Sequence, residues 1–386
     1  MSGVSPLRRA GAGTAANGAL ASILARQRLI VCVGSGGVGK TTIAAAIGIA
    51  AARRGRRTAV LTIDPARRLQ DALGIRTSAG VPHRVTLPPP PAPPGGSLDA
   101  MILDTKRTFD GLIRRYAPSP EAAERVLQNR IYQSLSSALA GSQEYMAMER
   151  MHELVEEGGY DLLVVDTPPT HHALDFFEAP DRLSALLSSR AAAIFQNPAL
   201  VLTGEGSRLA QTLLAAVLRG LERFTGLTLL RELADLAGGL DEYSEGFRAR
   251  AAAVAGMLRA PATSYVLVTT PEPARVAETL ALRRELVRSG LPVSGLVLNR
   301  TLPAEVALPP APDVVPPLAS PPDLALARKL VAVHRRYVHV WEQERAQIAA
   351  LAEAVAPAPS VELPLEPVEP TTLARLAALA ERLLQP

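Results

Sequence analysis

Leu29-Ile-Val-Cys-Val33, followed at once by Gly34-Ser-Gly-Gly-Val-Gly-Lys-Thr41, is the stretch that decides the fold. Five apolar residues, three of them β-branched, make a short buried strand. The next eight fill the pattern G-x-x-x-x-G-K-[ST] through Gly34, Gly39, Lys40 and Thr41. In that pattern small residues let successive backbone N–H groups turn inward around phosphate oxygens. An Ala-rich helix from Thr41 to Arg54, stopped by Gly55, follows directly, so strand, loop and helix stand in the order that a phosphate-binding loop requires.

Reading outward from this stretch, Thr58 to Ile63 makes a second strand, ending at Asp64-Pro65-Ala66. Further strands are expected at Leu98 to Leu103, Tyr160 to Val165, Ser264 to Val268, Val293 to Leu298 and Val361 to Leu363, with helical sequence between them. Seven strands separated by helices give an α/β fold: a P-loop NTPase with a doubly wound, mostly parallel sheet and helical insertions. Residues 1–27 are expected to be a flexible N-terminal tail and 28–386 a single P-loop ATPase domain, with insertions at about 106–157 and 176–258 and a Pro-rich loop at 303–322. Pro88 to Gly96 reads as a surface loop.

From Leu183 to Leu218 the only charges are Arg190, Glu205 and Arg208, and a helix apolar nearly all round has to be buried or covered. Two readings stay open there: helices packed on one another, or an apolar groove. Leu330, Val333, Tyr337, Val340, Trp341, Ile348, Leu351 and Val355 keep helical spacing along one long amphipathic helix, expected to lie on the outside of the sheet. The closing segment Thr371 to Leu384 is also amphipathic, but carries only Arg375 and Arg382 as basic residues.

Composition excludes several classes. With 48% apolar but 4% aromatic residues, the core is built from Ala, Leu, Val and Ile, which suits helices on a parallel sheet. A formal charge of +4 spread as scattered arginine does not signal a nucleic-acid groove, so no nucleic-acid partner is expected. The single cysteine, Cys32, supplies neither a disulfide framework nor a cysteine metal site, which fits a reducing compartment. No apolar run reaches the ~18 to 20 residues of a membrane span. The expected location is cytoplasmic, with peripheral contact to a membrane left open.

Asp64 and Asp166 each follow a strand, so both carboxylates are expected at the carboxyl edge of the sheet, where such folds bind ligands. Lys40 would reach the β- and γ-phosphates of a nucleotide and the Thr41 hydroxyl would bind Mg²⁺. One aspartate would hold Mg²⁺ through water and the other would orient the attacking water. Taken alone, either could be a cap or turn residue.

Four motifs in order, Gly34 to Thr42, Asp64-Pro-Ala66, Asp166-Thr-Pro-Pro-Thr-His-His172 and Leu296-Val-Leu-Asn-Arg300, resemble the ArsA family. It comprises the arsenical pump-driving ATPase and the ATPase that delivers tail-anchored membrane proteins. The resemblance runs from about Leu29 to the C-terminus. It implies ATP and Mg²⁺ as ligands, with the phosphate loop at Gly36, Gly37, Val38, Gly39, Lys40, Thr41 and Thr42, and Thr41, Asp64 and Asp166 at the metal. By the same resemblance Asp64 is the switch I aspartate that positions water, Asp166 the aspartate that opens switch II, and Asn299 the reader of adenine. His172 falls where the family's switch II also carries histidine.

Three departures matter. The family's loop begins Gly-Lys-Gly-Gly, and that lysine reaches across a dimer to the partner's nucleotide; here Ser35 stands in its place. No Cys-x-x-Cys pair precedes the long helix, so a structural zinc is not expected. One P-loop and one strand cysteine make arsenite activation improbable. The reading is therefore a dimeric nucleotide switch. Its partner would be a second ATPase subunit, the same chain or a paralogue, and its task transport energising or the handling of a hydrophobic client or membrane transport protein. The alternative is a ParA/MinD-like ATPase that organises cargo on membrane or DNA, which a C-terminal membrane-targeting helix would favour.

Overall fold

The central strands are short runs of Val, Leu, Ile and Ala because both of their faces are covered, as in sheets crossed by helices on either side. The computed structural model describes residues 20–64, 68–75, 78–117, 119–129, 132–133, 142–168, 249–291, 293–307 and 321–384. Eight strands form one sheet: β1 Leu29–Val33, β2 Arg57–Thr62, β3 His83–Arg84, β4 Ser97–Ile102, β5 Leu162–Asp166, β6 Thr263–Thr269, β7 Val293–Thr301 and β8 Ser360–Pro364. Their order is β3-β4-β2-β5-β1-β6-β7-β8. Every pairing is parallel except that of β3 with β4, so the fold is the doubly wound α/β sheet. The seven longer strands coincide with those expected from sequence to within about two residues at most ends, although β7 continues three residues further. β3 is an addition, too short to leave a periodic signal.

Among the described residues the main α-helices are α1 (20–26), α2 Lys40–Ala52, α3 Arg68–Leu73, α4 Thr105–Tyr116, α5 Pro120–Gln128, α6 Ser142–Glu156, α7 (249–259), α8 Pro273–Arg288, α9 Pro321–Val355 and α10 Leu373–Arg382. One face of the sheet packs on α4 to α8 and the last turns of α9. The other packs on α1, α2, α3 and α10. On that second face α2 is buried at eleven of its thirteen positions. Its Ala-rich sequence has no polar side because β1, β2 and β5 lie on one flank and α10 on the other. Gly48 lets α2 approach β2: a Cβ there would stand 2.4 Å from Val60 Cγ2.

Two expectations change. The tail read as ending at residue 27 becomes helix α1 from residue 20, because Leu20 and Leu24, one turn apart, both sink into the core. Helix α9 lies against the protein only at its C-terminal end, where Ile348, Leu351 and Val355 are buried, while Leu330, Val333, Tyr337 and Val340 are exposed. The apolar face of the C-terminal segment is not available to a membrane, since Leu376, Leu379, Ala380 and Leu383 are buried in the α2 cluster. That burial removes the feature that would favour the ParA/MinD-like alternative. Residues 183–224, His171, His172 and most of the insertion 176–258 and of the loop 303–322 lie outside the described residues.

Candidate nucleotide site

The loop between β1 and α2 owes its shape to glycine at specific positions. Gly34 runs so close to β6 that a Cβ would meet the Val268 carbonyl oxygen at 2.1 Å, and Gly37 and Gly39 have φ of 79° and 96°. These values belong to the left-handed region that side chains avoid. Gly39 is also the N-cap of α2, which starts with no side-chain cap and no acidic residue in its first turn. Its first N–H groups therefore keep their partial positive charge for an anion.

Lys40 is the first residue of α2 and is 7% exposed. Its ammonium donates to the carbonyl oxygens of Gly34 and Ser35, both at 2.8 Å. An ammonium has three N–H bonds, so two hold the loop closed on itself and one remains. Burial pushes its pKa down, with Asp166 as the largest opposing influence.

β5 ends on Asp166, in register with Cys32 of β1 and Thr62 of β2. The carboxylate is 1% exposed. Its Oδ2 accepts from the hydroxyls of Thr41 at 2.7 Å and Thr62 at 2.9 Å, whereas the equally buried Oδ1 has no hydrogen-bond partner. Burial pushes this carboxyl's pKa up, and the two hydroxyl bonds and Lys40 oppose the rise. A buried carboxylate with one oxygen orphaned beside a threonine hydroxyl is a donor set made of hard oxygens, which suits Mg²⁺. Thr41 and Asp166 thus fit the metal on geometry. Asp64 follows β2, is partly exposed and pairs with Arg68 at 3.8 Å; it lies at the same sheet edge, since Ile63 N–H donates to the Asp166 carbonyl.

Asn299, near the end of β7, stands behind the loop. Its Nδ2 donates to the Val38 carbonyl at 2.8 Å and would be 2.4 Å from a Cβ on Gly39. Arg300, at φ 59°, donates to the Gly37 carbonyl at 3.3 Å. The Ser35 side chain is fully buried, and its hydroxyl has no partner, so the position points into its own chain. The structure therefore brings Gly36 to Thr42, Asp64, Asp166 and Asn299 to one sheet edge.

The Anion-transporting ATPase family model matches residues 27–309, a span holding all of these residues. The chain belongs to that family. Protein Rv2184c of Mycobacterium tuberculosis is 36% identical over 163 residues, 40% of this chain and 38% of its own. The ATPase GET3 of Phaeosphaeria nodorum is 26% identical over 280 residues, 71% of this chain and 77% of its own. The Putative arsenical pump-driving ATPase 1 of Aquifex aeolicus is 23% identical over 289 residues, covering 72% and 65%. The match thus spans about two fifths of the length of the Mycobacterium relative and of a Streptomyces coelicolor one.

Within this member of the Anion-transporting ATPase family, sequence reasoning missed Thr62 and Arg300. Thr62 could have been found, because a strand ending at Asp166 and a strand ending two residues before Asp64 are neighbours in such a sheet. Arg300 gave no signal, since its left-handed backbone is a property of the β7 end. Cys32 lies buried beside the loop with its thiol pKa pushed up by burial and by Asp166, which keeps it protonated and unreactive.

Proposed function

We propose that this chain binds and hydrolyses ATP with Mg²⁺, and that nucleotide state moves its helical parts as a switch within a dimer. The observation that carries the reading is Asp166: a buried carboxylate with one oxygen fixed by the Thr41 and Thr62 hydroxyls and the other without a hydrogen-bond partner, beside a loop closed by Lys40. Bound Mg²⁺ would supply charge neutralisation for the phosphates. The chain's own residues do the rest. Amides from Gly36 to Thr42 and the start of α2 cradle the phosphates, and Lys40 exchanges its two loop carbonyls for phosphate oxygens. Asp64, less buried than Asp166, would accept a hydrogen bond from water and orient it for in-line attack. Asn299 and Arg300 brace the loop from behind, and Asn299 would also read adenine.

The partner in this reading is a second ATPase subunit. Ser35 is uncharged and faces inward, so the second cation that the family's loop lysine would bring across a dimer, beside Lys40, would come from another residue or another chain, which favours a paralogue as partner. A hydrophobic client or membrane transport protein is the downstream element, and the cytoplasm the setting. Asp166→Asn and Asp64→Asn test the site. Both should cost at least about a hundredfold in turnover, since each removes a group that acts in the transition state, and Asp64→Asn should leave ATP affinity within a few fold. Undiminished turnover in the Asp64 variant rejects its role. An Asp166 variant with normal Mg²⁺ dependence rejects the metal site.

A further inference from the structure

Helix α9 has an exposed face that takes no part in the nucleotide site. From residue 326 to 343 of this 35-residue helix no position is buried, so that stretch stands out from the described protein. An isolated, fully polar helix could explain this, but α9 is not polar. Leu326, Leu330, Val333, Tyr337 and Val340 are 49% to 56% exposed. At about 100° per residue they fall, with Trp341, within an arc of roughly 100°. That arc is the continuation of the stripe whose later members, Ile348, Leu351 and Val355, are core residues.

A basic arc lies apart from this stripe, with Val331, 45% exposed, outside both. Arg328, Lys329, Arg335 and Arg336 occupy a separate arc of roughly 120°, and no Asp or Glu lies between Leu326 and Trp341. None of the four has an ion-pair partner among the described residues. A second copy of this helix is a poor cover, because Lys329 and Arg336, which border the apolar stripe, would meet like charges with no acid to pair them. A nucleic acid would satisfy the arginines and leave five apolar side chains in water. An anionic lipid surface satisfies both: apolar side chains enter the acyl boundary while bordering Lys and Arg stems reach back to the headgroups. No helix among the described residues is long and apolar enough to cross a membrane, so the contact is in the plane of the surface.

We infer that the exposed half of α9 is a docking helix for anionic membrane surfaces. The inference is independent of the nucleotide site: a chain that hydrolyses ATP but ignores vesicles refutes it and leaves the ATPase reading intact. The chain has one tryptophan, Trp341, at the foot of the exposed stripe, so its emission reports on this helix alone.

The test is flotation of the full chain with vesicles of phosphatidylcholine alone and with about a third phosphatidylglycerol. Binding is expected only to the anionic vesicles, falling with added salt and accompanied by a blue shift of Trp341 emission. Arg335→Glu with Arg336→Glu should weaken binding at least about tenfold, and Leu330→Asp with Tyr337→Asp should abolish it. All four side chains are exposed, so the variants should keep wild-type circular dichroism and ATPase turnover. No flotation with anionic vesicles overturns the inference, as does undiminished binding by the Asp variant. Two other outcomes also overturn it: loss of a larger oligomer in the Asp variant without vesicle binding, which assigns the stripe to a second copy, and duplex DNA binding without vesicle binding.

Discussion

Lys40→Met separates gripping phosphate from holding the loop together. The ammonium makes two bonds of 2.8 Å to loop carbonyls, each contributing about 1.5–3 kcal/mol for a charged donor. Against this stands the cost of burying the charge, seen in its depressed pKa. Methionine keeps the stem's packing and removes both terms, so the free protein should change by no more than about 1–2 kcal/mol. Ligand binding is different. At a Mg-ATP concentration a hundredfold above Kd the wild type gains about 2.7 kcal/mol. With an unfolding entropy of about 2.1 cal/mol/K per residue, a chain of 386 residues loses about 0.8 kcal/mol per degree, so ATP should raise the melting temperature by about 3 °C. Differential scanning fluorimetry with and without Mg-ATP reads both numbers. The variant should melt within about 2 °C of the wild type without nucleotide and show no ATP increment. A variant that keeps the full 3 °C refutes the assignment of Lys40 to the phosphates.

Two further predictions concern the scaffold. Glu149 and Arg250 form a pair at 2.6 Å with both side chains nearly buried, and burial already pushes the Glu149 carboxyl's pKa up against the opposing pull of Arg250. Arg250→Met should cost about 3–5 kcal/mol at neutral pH. A carboxyl whose folded pKa is raised contributes fully below its unfolded value and loses that contribution as pH rises through the folded one. The gap to wild type in urea melts should therefore narrow on acidification from pH 7 towards 5, and a gap that widens contradicts this account. Gly48→Ala should gain about 1 kcal/mol of helix propensity but place a methyl 2.4 Å from Val60. Overpacking of about 1–3 kcal/mol wins, and a urea midpoint above wild type would show that α2 has room to move.

Much of the fold was legible because its signals are local. Each long strand is an apolar run closed by a turn residue, and Gly34 to Thr41 sits in the strand-loop-helix context that gives the pattern meaning. Asp166 was readable as a strand-ending carboxylate, but its orphaned oxygen was not, since that depends on which hydroxyls two neighbouring strands bring to it. Amphipathic periodicity says that a face exists and not what covers it. The same kind of stripe is buried against α2 in α10 and stands exposed along much of α9. Leu20 and Leu24 gave too short a pattern, within an Ala/Gly-rich stretch, to reveal α1.

Helix α9 is rooted where Glu344, 8% exposed, accepts from Leu302 N–H at 2.6 Å, two residues beyond the arginine that touches the phosphate loop. From Glu344 to Leu326 the rigid rod measures about 27 Å. A tilt of about 5° at the root therefore swings its far end by about 2 Å, so a small displacement at the loop becomes a step of about half a methyl group's width at the tip.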